Sequence, residues 1–387
     1  MAYNRKQRLN DNIKAIETAF ILDREQRTPT ARERLLLERY CGFGGLKCIL
    51  NPARELADAV HWAKSDLELF APTVELHRLI RENSKNESEY KQLMDSLKQS
   101  VLTAFYTPSA VTEALTDVLK EHQIIPEKVL EPSAGIGAFV DSVLDNNPKA
   151  DIMAFEKDLL TGKILRHLYP EQKVRIEGFE KIEKPFNDYF DLAISNIPFG
   201  DVAVFDPSYT AMKGMRALVT RRIHNYFFVK ALDTVRDGGL VAFITSQGVL
   251  NAKNNSAARF MMLYHADLVS AIRLPNNLFT ENANTEVGSD LIILQKNSQK
   301  ESLRGDDNLL DTVYNDENRI PTNNYFLEHP ERIIHTTAKL DTDPFGKPAM
   351  IYTHEDGVEG IAEDLRKMLH EDFKKNLNLN RYLGIEE

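Results

Sequence analysis

Cysteine is scarce: 387 residues contain two, Cys41 and Cys48. A single pair makes no disulfide framework, and neither CxxC nor Cys/His spacing surrounds it. A zinc-stapled or oxidised scaffold is therefore excluded, no metal is expected, and both thiols read as reduced bystanders. Long apolar runs are missing too. No stretch of about 18 apolar residues occurs, and Met1-Ala2-Tyr3-Asn4-Arg5-Lys6 leads straight into polar sequence, so neither a membrane span nor a signal-type segment is expected and the chain reads as soluble and cytoplasmic. Internal repeats and low-complexity tracts are absent. Positive charge is short, with 48 Lys and Arg against 58 Asp and Glu for a net of −10. That balance argues against autonomous tight binding of a polyanion, although a sum leaves room for a local basic patch.

What is present, at 42% hydrophobic residues, suffices for one good-sized core with smaller appended units. Residues 1–100 read as a helical region. Ile13, Ile16, Phe20 and Ile21 recur near a 3.6-residue period over Asn12 to Leu22. A second helix starts at Arg27-Thr28-Pro29-Thr30, with Pro29 in the first turn and Thr30 with Glu33 as a capping box ahead of Leu35, Leu36 and Leu37. It must stop at Cys41-Gly42-Phe43-Gly44-Gly45, where three glycines either let two backbones approach or simply end the helix. Asp66 to Ser100 is charged and helical in character.

Over residues 101–300 short apolar runs alternate with amphipathic segments, the signature of a doubly wound parallel sheet covered by helices. Seven strands are predicted: Lys128 to Leu130, Asp151 to Phe155, Val174 to Glu177, Leu192 to Ser195, Leu240 to Thr245, Leu268 to Leu274 and Leu291 to Gln295. Residues 301–387 lose this rhythm and read as a small C-terminal extension. Asp306-Asp307-Asn308 and Asn315-Asp316-Glu317-Asn318 look like polar loops there, and one helix is expected near Val358 to Leu369.

The first strand runs into Glu131-Pro132-Ser133-Ala134-Gly135-Ile136-Gly137, ahead of an amphipathic helix over Phe139 to Leu144. Gly135 and Gly137 free the turn of side chains so that a ligand can lie against backbone. A pyrophosphate cradle would want a third glycine where Val140 stands. A sulfonium nucleoside with an amino-acid tail fits better, since its carboxylate needs a helix N-terminus and a few polar groups. At the end of the second strand, Glu156 followed by Lys157 falls about twenty residues beyond the glycines, where this fold grips ribose hydroxyls. After the third strand, Phe179 can flank an adenine ring, and Glu177 or Glu180 can accept from its amine. Upstream, Tyr106-Thr107-Pro108 reads as a helix start with Thr107 as cap, aimed at the cofactor.

The fourth strand ends in Asn196-Ile197-Pro198-Phe199. A ring-conjugated amine is a poor nucleophile until its lone pair leaves conjugation. The Asn196 side-chain oxygen and the Ile197 main-chain oxygen can accept its two N–H groups, while Pro198 stiffens the turn and Phe199 stacks on the base. Asparagine is no general base, so the proton leaves after the transfer. A base within a duplex must be flipped out to reach such a turn. Lys213, Arg216, Arg221 and Arg222, set against Asp201 and Asp206, follow this turn and either track phosphates or decorate an ordinary surface loop.

Taken in order, Phe105-Tyr106-Thr107-Pro108, Glu131-Pro132-Ser133-Ala134-Gly135-Ile136-Gly137 and Asn196-Ile197-Pro198-Phe199 resemble the motifs of N6-adenine DNA methyltransferases. Tyr40-Cys41-Gly42-Phe43-Gly44-Gly45, Gly178-Phe179-Glu180 and Tyr325-Phe326-Leu327-Glu328-His329-Pro330 look like the methylase portion of helicase-methylase proteins of phages and conjugative elements. The resemblance implies a class I, Rossmann-like fold and S-adenosylmethionine as methyl donor. It also implies DNA as substrate and a helicase or specificity module in another chain. This sequence departs from the usual tetrapeptide, which has proline where Ile197 stands, and that bears on the rigidity of the turn. It also lacks room for a large target-recognition domain. Two other functions stay open: a protein glutamine-N5 methyltransferase, since a side-chain amide is another planar nitrogen, and a weakly active DNA-associated or anti-restriction module.

Overall fold

The computed structural model describes residues 4–103, 106–280, 286–303, 307–314, 319–343 and 346–385. The N-terminal region is helical, as anticipated, with α1 (Arg5–Glu25), α2 (Ala31–Glu38), α3 (Phe70–Glu82) and α4 (Glu87–Thr103). The reciprocal capping box between Thr30 and Glu33 is formed. Pro29 stands just outside the helix rather than in its first turn, because the cap is Thr30 itself.

All seven predicted strands form, as β1 (Lys128–Glu131), β2 (Asp151–Phe155), β3 (Lys173–Arg175), β4 (Phe190–Asn196), β5 (Val235–Ser246), β6 (Ala266–Leu274) and β7 (Ser289–Lys296). They build one sheet in the order β3-β2-β1-β4-β5-β7-β6. Every pair is parallel except those of β7, which runs antiparallel to β5 and β6. Both faces are buried, and alternate residues of each strand enter opposite cores. Leu192, Ile194, Leu240 and Ala242 face α5 (Ser109–Glu121), α6 (Ala138–Asn146) and the helix Gly357–Asn376. Ala193, Val241 and Phe243 face the helices Ile223–Thr234 and Ser256–His265. A sheet covered on both sides explains the near-continuous apolar runs in the sequence.

The helix expected near Val358 therefore runs longer, to Asn376, and its Ile361, Leu365, Leu369 and Phe373 complete one of the two cores. The N-terminal helices share a third cluster with Leu160, Ile164 and Leu168 of α7 (Leu159–Leu168). Of the anticipated polar loops, Asp307-Asn308 opens a short 3-10 turn, while Asp306 and 315–318 lie outside the described residues. A hairpin pairs Thr312–Tyr314 with Pro321–Asn323.

This C-terminal segment is stitched on by a buried cation whose hydrogen bonds go to neutral oxygens. Arg259, 1% exposed, donates to the carbonyls of Leu310 (2.9 Å), Val249 (3.0 Å) and Ala252 (2.9 Å) and to the Thr312 hydroxyl (3.3 Å). Burial lowers its pKa to about 10. Arg259→Leu would strand three carbonyls at about 1–3 kcal/mol apiece before relaxation. A loss of roughly 3 kcal/mol or more in urea unfolding is expected, and a change below about 1 kcal/mol would show that water replaces the guanidinium.

Candidate active site

The chain winds one way through β1, β2 and β3, then returns to lay β4 on the other side of β1. At such a switch point the turns leaving β1 and β4 diverge and open a crevice beyond the carboxyl ends of the strands. Glu131 to Gly137 leaves β1 there, and Asn196 to Phe199 leaves β4 beside it, with Val129 and Leu130 paired to Leu192 and Ala193. Topology alone thus brings the two sequence motifs together.

The glycine turn is held from below. Ala134 N–H donates to the Phe155 carbonyl (2.8 Å) and Gly137 N–H to the Ala134 carbonyl (2.8 Å). Gly135 (φ +55°) and Gly137 (φ +88°) occupy the left-handed region. A Cβ on Gly135 would sit 2.8 Å from the Tyr106 ring, and one on Gly137 would sit 2.5 Å from Tyr169. The missing side chains therefore make room for two tyrosine rings as well as for backbone geometry. Gly137 caps α6 without a side-chain bond, leaving that helix N-terminus open toward the turn.

Two carboxyls flank it. Glu131 is 2% exposed, accepts from Ser133 N–H at 3.3 Å and is hydrogen-bonded by Ser195. Burial pushes its pKa up to about 8. Glu156 accepts from Gly135 N–H (2.8 Å) on one oxygen and from Asp158 N–H (2.7 Å) on the other. Burial and then the charge of Asp158 raise it to about 7. Lys157 is exposed and contributes its main-chain N–H to Glu156. Pro132 is buried at the start of the turn.

Two of the anticipated cofactor residues, Thr107 and Phe179, are placed differently. Thr107 does not cap α5: the cap position is Pro108, one residue later, without a side-chain bond. The Thr107 hydroxyl is instead buried with no partner among the described residues. Phe105 lies outside the described residues. Phe179 is 1% exposed and wedged against Phe155 (5.8 Å) and Phe227 (5.2 Å), so it plugs the core because its turn folds inward onto the sheet. Glu177 is engaged by Arg175 at 2.6 Å, whereas the Glu180 carboxylate folds back over Gly178, which leaves Glu180 as the better placed of the two.

On the substrate side Ile197 is 1% exposed, and its N–H donates to the Ile244 carbonyl at 3.0 Å. This extends the β4–β5 ladder by one residue, a bond proline cannot make. The rigidity questioned at this position comes from the sheet. Pro198 and Phe199 are half-buried. Phe199 packs edge-to-face on Phe279, with centroids 6.3 Å apart at 74°. The sequence reading missed Phe279, which follows β6 in Leu274-Pro275-Asn276-Asn277-Leu278-Phe279; a proline and two asparagines between strand and aromatic were the available signal.

The four basic residues after the turn do not act together. Arg216 forks onto Asp233 (2.6 and 3.0 Å), immediately before β5. Val235 pairs with Phe190 at the start of β4 and Asn196 ends it, so Arg216 sits about 20 Å from Asn196 at ~3.3 Å per residue. Lys213 lines a groove with Arg216 and His265 on that far side. Arg222 binds Asp201 (3.1 Å), Asn254 (2.6 Å) and Asn255 (2.7 Å), closing the loop on itself. Arg221 is exposed. Among the described residues no cluster of three metal-ligating side chains occurs, and no helix is long and apolar enough to cross a membrane.

A family model described as N-6 DNA Methylase matches residues 88–383. Defense against restriction protein B of Escherichia phage P1 is 28% identical over 201 residues, covering 50% of this chain and 8% of the phage protein. The type II methyltransferase M.XamI of Xanthomonas campestris pv. amaranthicola is 25% identical over 173 residues, covering 41% of this chain and 33% of that protein. The chain thus spans no more than a third of either relative. Among solved structures, a class I S-adenosylmethionine-dependent methyltransferase described as putative, from Listeria monocytogenes, aligns at TM-score 0.44 and 15% identity over 78% of this chain and 91% of its own. A modification subunit of a type I restriction enzyme, also described as putative, from Vibrio vulnificus YJ016 gives 0.44 and 15% over 75% and 67%.

The raised carboxyls make a testable signature. Both bind protons more tightly folded than unfolded, so their contribution to stability is complete below the usual glutamate value of about 4.3. It drains away as pH rises through about 7 and 8. The melting midpoint of the ligand-free protein should fall across this interval, and Glu131→Gln, which keeps the shape and cannot ionise, should flatten the upper part of the fall. An unchanged slope would mean that Glu131 is already ionised in the native protein.

Proposed function

This chain belongs to the N-6 DNA methylase family, and we propose that it transfers a methyl group from S-adenosylmethionine to the N6 amine of an adenine flipped out of DNA. The observation that carries this reading is the adjacency of the glycine turn after β1 and Asn196-Ile197-Pro198-Phe199 after β4 at one switch point.

The donor supplies an electrophilic methyl on a sulfonium, and the electron pair of the broken carbon–sulfur bond stays on sulfur. The residues fit it. Glu156 accepts from the main-chain N–H groups of Gly135, Asp158 and Lys157 and keeps one acceptor site for a ribose hydroxyl. Glu131, costly as a buried anion, suits the cationic amine of the amino-acid tail. The orphaned Thr107 hydroxyl and the uncapped start of α6 suit its carboxylate. Glu180 takes the donor's adenine amine.

For the acceptor, Asn196 and the Ile197 carbonyl draw the two N–H groups out of the ring plane, so that the lone pair points at the methyl. Phe199, braced by Phe279, offers a stacking face that returns about 1–3 kcal/mol of the cost of extruding the base. The proton then leaves to solvent, since neither oxygen is basic. Arg221 and the 82% exposed Phe205 flank the bond from Val204 N–H to the Thr220 carbonyl (2.8 Å) and form the nearest surface for DNA. With Arg216 and Arg222 engaged internally and a net charge of −10, DNA is delivered by a helicase or specificity module on another chain or segment.

Incorporation of labelled methyl into plasmid DNA tests the reading, with adenine identified by nucleoside analysis. Asn196→Ala should reduce transfer by about a hundredfold or more while leaving cofactor affinity within about twofold. Undiminished transfer, or label that appears only in protein, would refute it. Glu156→Ala should weaken S-adenosylmethionine binding without unfolding the chain, as read by calorimetry alongside melting; unchanged affinity removes Glu156 from the ribose.

A further inference from the structure

The segment Tyr40-Cys41-Gly42-Phe43-Gly44-Gly45 plays no part in the chemistry above and lies outside the residues that match the family model. It is nonetheless built with care. Asn12 of α1, fully buried, clasps it from both sides, its side-chain nitrogen donating to the Gly42 carbonyl (2.7 Å) and its oxygen accepting from Cys41 N–H (2.9 Å). Gly42 and Gly45 turn the chain at φ +66° and +77°. Phe43 N–H donates to the Ser100 hydroxyl at 3.2 Å. The clasp delivers the Tyr40 ring, 2% exposed, against Phe43 at 6.2 Å and places its hydroxyl 3.1 Å from Thr161 Oγ1 in the first turn of α7.

The direction of that bond follows from proton counting. Thr161 has one hydroxyl proton and donates it to the Asp158 carboxylate, so Thr161 Oγ1 accepts from Tyr40. Asp158 also accepts from Thr161 N–H (3.1 Å) and from Ser96 of α4, and its own N–H donates to Glu156. The Tyr106 hydroxyl reaches the same Thr161, while its ring fills the space that a side chain on Gly135 would need. Gly135 in turn donates to the other oxygen of Glu156. Two limbs leave Thr161, one through Asp158 and one through Tyr106, and both end on the same carboxylate.

We propose that Tyr40 is a positioning residue of the methyl-donor site: through Thr161 it fixes the orientation of Glu156, so that the N-terminal helices are part of S-adenosylmethionine recognition. The proposal rests on the reading that Glu156 holds the ribose. Tyr40→Phe keeps the ring in its core and deletes only the hydroxyl, which bonds Thr161 and Ser100. In the full chain, the dissociation constant for S-adenosylmethionine should rise about 3–10-fold, as the loss of one hydrogen bond gives. The turnover number at saturating donor should stay within about twofold, and the melting midpoint of the ligand-free protein should fall by no more than about 2–4 °C, as one buried hydrogen bond gives. Thr161→Val breaks the same link and should behave alike.

In a Glu156→Ala background Tyr40→Phe should cost nothing further, because its path ends there. Wild-type affinity in Tyr40→Phe and Thr161→Val beside weakened binding in Glu156→Ala would overturn the proposal and leave the ribose reading standing. Equal weakening in both backgrounds would overturn it as well, by making Tyr40 a general support. Unchanged affinity in Glu156→Ala would remove the ribose reading and the proposal together.

Discussion

Two carboxyls at the ends of neighbouring parallel strands, Glu131 buried and Glu156 half-buried, constrain the rest of this molecule. Glu131 closes β1 and Glu156 follows β2, strands paired residue for residue from Lys128 with Asp151 to Glu131 with Ala154. Holding a carboxylate away from water is unfavourable unless N–H donors or a cation compensate, and the turn between β1 and α6 is shaped to supply the donors. Gly135 presents its N–H to Glu156 only because a left-handed backbone turns it that way, and Ser133 presents its own to Glu131. The compensation is incomplete, since both groups stay well above the ordinary glutamate range. On the proposed function, the cationic tail and a ribose hydroxyl of the donor would supply the partners these two carboxyls lack.

The sheet was legible because its strands are covered on both faces, which writes unbroken apolar runs such as Leu192-Ala193-Ile194 into the sequence. The capping box at Thr30 and Glu33 was legible because it is a local bond between residues three apart. Other features fail this test of locality. Thr107 and Pro108 are adjacent, and only the path of the chain before α5 decides which occupies the cap. Phe179 looked like a ligand-facing ring because it follows a strand, but the turn at Gly178 folds it into the core beside Phe155. Phe279 lies eighty residues from Phe199 in sequence and meets it only because β6 returns to the same end of the sheet.

The basic residues show the same limit at larger scale. Lys213, Arg216, Arg221 and Arg222 are close in sequence, yet the segment descends the full height of β4 and climbs back between Gly200 and Ile223. Proximity along the chain therefore did not mean proximity to Asn196. Two of the four were also less available than their charge suggested: Arg216 is matched by Asp233 and Arg222 by Asp201. An arginine forked on a carboxylate presents little net field beyond a Debye length of about 8 Å.

This local neutrality, more than the overall charge of −10, decides how the proposed chemistry can operate. Association with DNA draws on released counterions, and each phosphate contact removed weakens binding steeply at physiological salt. On the proposed function, a turn whose following arginines Arg216 and Arg222 are engaged internally would orient and stack a base while gaining little affinity from them. Such a unit would, on the proposed function, work when another module holds the nucleic acid, since tethering raises the effective concentration of the base without any new contact at the site. The internal pairing of Arg216 and Arg222 then has a physical reason. Their guanidinium groups fix the shape of the segment that follows Asn196-Ile197-Pro198-Phe199, and that shape matters more to a tethered site than attraction does.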